Sequence, residues 1–143
     1  MTETYVHRDI PFWSTLFALQ LVRPHRLDPD ILDTLKWLPS VEPRALTFHV
    51  KDGREEEFRN AFLKHFQKDY QLLSRQEVLG QNLFGAGSRH PRLESFIGDY
   101  LAVAIGDVSI FNSRSEADRF IGVHAGMTEY EMMVPLIVVE KKG

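Results

Sequence analysis

Hydrophobic and polar positions change rhythm several times along the chain, and each rhythm predicts an element. Residues 10–22 (Ile-Pro-Phe-Trp-Ser-Thr-Leu-Phe-Ala-Leu-Gln-Leu-Val) are apolar on nearly every side, so this segment is expected to be buried against a packing surface. Asp28 then suits an N-cap and Pro29 the first helical position. Ile31, Leu32, Leu35 and Leu38 form one stripe, predicting a short helix that Pro39 closes. Over 45–50 the period falls to two, with Leu46, Phe48 and Val50 on one strand face and Thr47 and His49 on the other. After the Lys51-Asp52-Gly53 turn, Phe58, Ala61, Phe62, His65 and Phe66 recur at helical spacing, which predicts a helix over 55–67 with its Phe stripe in the core. Glu55, Glu56 and Glu57 occupy its first turn, where the helix dipole is positive and the side chains stay solvated.

A short strand over 70–73 follows. Ser74 and Glu77 then make a capping-box pattern, predicting a helix from Ser74 to about Gly80. Residues 81–96, rich in Gly, Asn, Ser and Pro, read as a loop. Two β-prone runs, 100–105 and 108–111, flank Gly106-Asp107 and predict a hairpin with a type II′ turn. Residues 112–118 are a polar loop, and 120–123 lead into His124. Thr128 and Glu131 form a second capping box, opening a single turn that Pro135 interrupts before a last strand over 136–139. Elements in this order predict an α+β fold: a mixed, mostly antiparallel sheet with helices packed mainly on one face. Residues 1–40 divide off as an apolar segment and short helix, a packing or dimer arm, and 41–143 as the main domain.

Composition narrows the function classes. A chain of 143 residues suits one core. With no cysteine there is no disulfide scaffold, thiolate nucleophile or Cys-based metal site. Seventeen basic against twenty acidic residues give a net charge of −3, which argues against a nucleic-acid partner. No apolar run approaches the ~18–20 residues of a membrane span, and the start at Met1-Thr-Glu-Thr-Tyr lacks the pattern of a signal peptide. The expectation is a cytoplasmic protein with no membrane partner.

The six histidines, at 7, 25, 49, 65, 90 and 124, show no H-E-x-x-H spacing, and there is no G-x-S-x-G, phosphate-loop or G-x-G-x-x-G motif. Gly85-Ala86-Gly87 comes closest to a glycine loop, but it follows no strong strand and opens no helix. His124 has the best local case: it ends a strand-like run, precedes the small residues Ala125 and Gly126, and stands just before a helix N-terminus. A neutral imidazole held there suits zinc. On the residues alone a turn or packing role is the simpler reading, because one ligand does not make a site. His90, with Pro91 and Arg92, could contact an anionic substrate or anchor its loop, and Asp99 and Asp107 suit turn and capping duties.

Several of these pieces occur together in a family order. They are Glu42-Pro43-Arg44, the Lys51-Asp52-Gly53 turn with its acidic helix start, Leu72-Leu73-Ser74-Arg75-Gln76-Glu77, Leu83-Phe84-Gly85, His90-Pro91, Ile97-Gly98-Asp99-Tyr100 and the run from His124 to Leu136 (His-Ala-Gly-Met-Thr-Glu-Tyr-Glu-Met-Met-Val-Pro-Leu). The ordered set resembles the C-terminal part of the alkaline phosphatase superfamily, in its microbial phosphodiesterase/nucleotide pyrophosphatase-like or phosphatase branch. The resemblance covers residues from about 40 to 140. It implies that His124 ligates one of two zinc ions, which in the family activate a Thr or Ser nucleophile and stabilise phosphoryl oxygens.

The chain departs from that pattern in ways that matter. It has no Asp-His-Gly, no Asp-x-x-x-His and no nucleophile-bearing Asp-Thr or Asp-Ser at an expected strand end, and Ala125 stands where the family usually has Gly. In the family those elements lie upstream, in a larger N-terminal portion. The expectation is therefore a C-terminal piece of a metal-dependent phosphohydrolase, inactive alone, with zinc and a phosphate ester belonging to the complete enzyme. Its expected partners are a second copy of the chain, as a homodimer, or the missing N-terminal catalytic half. A non-catalytic binding or assembly module on the same scaffold, and a small independent hydrolase using His90, His124 and a nearby Asp, are the competing expectations.

Overall fold

The computed structural model describes residues 20–21 and 24–133. In chain order its elements are β1 (Gln20–Leu21), β2 (Pro24–Arg26), α1 (Pro29–Leu32), β3 (Ser40–Glu42), β4 (Ala45–Phe48), α2 (Glu55–Phe66), β5 (Tyr70–Ser74), α3 (Arg75–Gly80), α4 (Leu93–Ile97), β6 (Tyr100–Ala104), β7 (Ser109–Phe111), α5 (Arg114–Ala117), β8 (Gly122–Val123) and α6 (Glu129–Met132). The expected strand over 136–139 and most of the apolar segment 10–22 lie outside the described residues. Among those residues no helix is long and apolar enough to cross a membrane.

The α+β class holds. An antiparallel sheet in the order β3-β4-β6-β5 forms the centre, with Phe48 opposite Tyr100 and Tyr70 opposite Ala104. The strand β6 is central because Leu101, Ala102, Val103 and Ala104 are all buried, a continuous apolar run that needs cover on both faces. Ala102 and Ala104 face the stripe Phe58, Phe62 and Phe66 of α2, together with Phe48 and Tyr70. Phe48 packs on Phe58 and Phe62 with ring centroids 5.1 and 5.4 Å apart. Each fully buried Phe contributes roughly 1.5–3 kcal/mol through burial. Leu27, Ile31 and Leu35 belong to the same core.

The expectation of helices mainly on one face needs correction. Leu101 and Val103 point the opposite way from Ala102 and pack with Leu73 of β5, Val78 of α3 and Ile97 of α4. The long helix α2 covers one face and the short α3 and α4 cover the other. The second cover is weak in the sequence because α4 has five residues inside a segment rich in loop formers. Gly98 ends it at φ +70°, and a Cβ there would lie 2.6 Å from the Phe48 carbonyl oxygen.

The expected hairpin is also corrected. Strand β7 does not pair with β6. It pairs in parallel with β2, with Pro24 opposite Ser109, while β1 pairs antiparallel with β8. The chain leaves the central sheet after Ala104, and the N–H groups of Ile105 and Gly106 donate to the Asp69 carbonyl. A Cβ on Gly106 would lie 2.7 Å from Asp69 Oδ1 and 3.1 Å from its Cα, so glycine serves a close approach of two backbones and not a hairpin turn. Helix α1 is likewise shorter than its stripe suggests. Thr34 Oγ1 donates to the Ile31 carbonyl at 2.6 Å, Leu35 bridges to Val50, and Leu38 is 55 % exposed.

Candidate functional site

Both predicted capping boxes form. At the second, Thr128 is the N-cap of α6 and Glu131 the reciprocating carboxylate, its Oε2 accepting the Thr128 hydroxyl at 2.6 Å. Upstream, Val123 of β8 is buried with Phe111 and Ala117, and His124 follows it directly, exposed to solvent. The imidazole therefore stands where the sequence puts it, between a strand end and a helix N-terminus.

The backbone beneath His124 is tightly specified. Ala125 sits at φ +78°, in the left-handed region, where a residue with a side chain costs on the order of 1 kcal/mol or more. Gly126 is buried, and a Cβ there would collide with the Glu131 carboxylate and come within 2.8 Å of Arg44 Nη2. Met127 N–H donates to the Ala104 carbonyl at 2.7 Å, pinning the segment to the end of β6.

The anchor of this platform is an ion pair. Arg44 Nε donates to Glu131 Oε1 at 2.6 Å and Nη2 to Oε2 at 2.7 Å, with side-chain exposures of 0 % and 2 %. The other Arg44 contacts are carbonyls: Nη1 donates to Val108 at 2.9 Å and Nη2 to Gly106 at 2.7 Å. Glu131 Oε1 also accepts the Gly126 N–H at 3.0 Å. Burial opposes ionisation of Glu131, but hydrogen bonds from Arg44 and Thr128, the Arg44 charge and the Gly126 N–H outweigh it and hold the carboxyl below its ordinary value. Beside them the Tyr70 hydroxyl lies 2.8 Å from the Pro43 carbonyl and accepts the Ile110 N–H at 3.1 Å, and burial lifts its phenol above the ordinary value. Four separate segments, those of Arg44, Tyr70, Val108 and Glu131, thus meet beside Gly126.

Sequence reasoning treats Glu131 only as a capping residue and Arg44 only as part of a motif before a strand. The signal for their pairing is an arginine placed immediately before the apolar strand run 45–48, where a charge needs a partner if the chain is buried. Asp99 acts as a structural tie. Its Oδ2 accepts the Val50 N–H at 2.8 Å, its Oδ1 pairs with Arg75 Nη2 at 2.9 Å, and Arg75 Nε donates to the Gly98 carbonyl.

His90 lies in the loop before α4. Its Nδ1 accepts the Arg92 N–H at 3.1 Å and its carbonyl accepts the Leu93 N–H at 3.0 Å, so it anchors the start of that helix. The His90 and Arg92 side chains are exposed. Gly85-Ala86-Gly87 neither follows a strand nor opens a helix; it lines a concavity between α3 and α4. Among the described residues no three His, Cys, Asp or Glu side chains gather as metal ligands would. His124 therefore offers a single imidazole, exposed to solvent. Compared with protein-family models, characterised proteins and solved structures, the chain matches none.

Proposed function

We propose that this chain is the C-terminal part of a metal-dependent phosphohydrolase of the alkaline phosphatase superfamily, with His124 as one zinc ligand. The observation that carries this reading is the union of two family-like pieces 87 positions apart, the Arg44 and Glu131 segments, in a buried pair that also accepts the N–H of Gly126, two residues after His124. The left-handed Ala125 adds to it, since a glycine, the residue usual there in the family, takes that conformation without strain.

The donor set among the described residues is one imidazole, where a catalytic zinc takes about three protein ligands. That does not fit a complete metal site, so no catalytic step is assigned to this chain. Its own contribution is a histidine on a segment whose backbone is tied to the core just after it, by the Gly126 N–H to Glu131 and the Met127 N–H to the Ala104 carbonyl. The other ligands and the nucleophile belong, in this reading, to the N-terminal portion of the family fold.

Two measurements test it. The purified chain, supplied with zinc, manganese or magnesium, is expected not to hydrolyse p-nitrophenyl phosphate or bis-p-nitrophenyl phosphate; turnover abolished by His124→Ala would overturn the inactive-fragment view. Cobalt titrated against the histidine ring resonances is expected to perturb His124 ahead of His90. Equal perturbation of the two would remove the case for a ligand role and favour a binding module on the same scaffold.

A further inference from the structure

We propose that the concavity between α3 and α4 binds a nucleotide-like anion, a flat ring carrying a phosphate. It is open to solvent and has a volume of ≈ 320 Å³, at the lower end of the range of small-molecule sites. Its floor is apolar, built from Leu79, Leu83 and Leu93, and Phe84 on its wall keeps 57 % of its surface open to solvent. A solvent-facing aromatic beside leucines inside a concavity is a surface on which a flat ring stacks.

The polar part of the lining selects the charge. Arg89 Nη2 donates to the Leu79 carbonyl at 2.5 Å and to Asn82 Oδ1 at 3.1 Å, which holds the guanidinium in the lining of the concavity. Because His90 Nδ1 accepts the Arg92 N–H, the neutral imidazole carries its proton on Nε2, a second donor. No carboxylate lines the concavity. A preorganised guanidinium and a ring N–H, unopposed by acidic groups, match phosphate oxygens. The inference stands on this concavity alone and is independent of any metal at His124.

The test is a titration of adenosine 5′-monophosphate into the isotope-labelled chain, followed by amide shifts. Saturable shifts confined to residues 79–93 are expected, with adenosine and inorganic phosphate each binding roughly tenfold or more weakly, since each supplies half of the contacts. Phe84→Ala is expected to weaken the nucleotide by about tenfold, the scale of one base–aromatic stack, while leaving inorganic phosphate unchanged. Arg89→Gln should weaken both. Shifts scattered over the surface, or a nucleotide affinity that Phe84→Ala leaves unchanged, would overturn the assignment. Because the readout is binding and not hydrolysis, its failure leaves the His124 reading standing.

Discussion

Glu131→Ala takes away the carboxylate that meets the Arg44 guanidinium, and the size of the effect follows from burial. The Arg44 side chain is 0 % exposed, so its charge depends on the carboxylate for compensation. Two charge-assisted hydrogen bonds disappear, while the contacts to the Gly106 and Val108 carbonyls remain. Stranding one member of a buried pair costs about 3–5 kcal/mol, most of it the penalty of an uncompensated charge. Against a typical stability of roughly 5–15 kcal/mol that is a large fraction. At roughly 2–4 °C per kcal/mol for a chain of this size, the melting temperature should fall by roughly 6–20 °C. Urea unfolding gives the free energy directly, and an unchanged slope shows that the native and unfolded states kept their compactness. Glu129→Ala, an exposed residue on the same helix, is the control and should stay within about 0.5 kcal/mol. The double variant Arg44→Met/Glu131→Met removes both charges and should lose less than the sum of Arg44→Met and Glu131→Met measured singly, by roughly 2–3 kcal/mol of coupling. A Glu131→Ala loss below about 1 kcal/mol, or strict additivity of the two substitutions, would refute the claim that this pair holds the His124 platform.

Three further outcomes are expected. Since Glu131 titrates below its ordinary value of 4.5 when folded, its stabilising effect is complete above that pH and is lost as pH falls through the lower folded value; Glu131→Gln should flatten this part of the acid-unfolding curve, and an identical curve would contradict it. Ala125→Gly relieves a left-handed backbone at the cost of extra freedom in the unfolded chain, so calorimetry should find a net gain of roughly 0.5–1 kcal/mol, and a loss would mean that φ is not strained in solution. The apolar sequence 10–22 predicts a homodimer burying more than about 1,000 Å², which light scattering at tens of micromolar tests; a monodisperse monomer would exclude it.

Local chemistry determined much of this protein before any tertiary contact. The Phe58, Phe62 and Phe66 stripe, the period-two run around Phe48 and the capping boxes at Ser74 and Thr128 each lie within a few turns of chain, and each formed as its spacing required. The position of His124 between strand end and helix start was legible for the same reason. What folding decided was partnership. Whether the run 108–111 pairs with its neighbour β6 or with the distant β2 depends on how the chain leaves Ala104, and the deciding contact is with Asp69, far away in sequence. That helices cover both faces followed from β6 being apolar at every buried position, a pattern that gives no face preference to read. Arg44 and Glu131, 87 residues apart, look like a strand flank and a helix cap until the fold removes water from both. Only then does a buried charge require its opposite, and this requirement, invisible to any local window, joins the two segments beside Gly126.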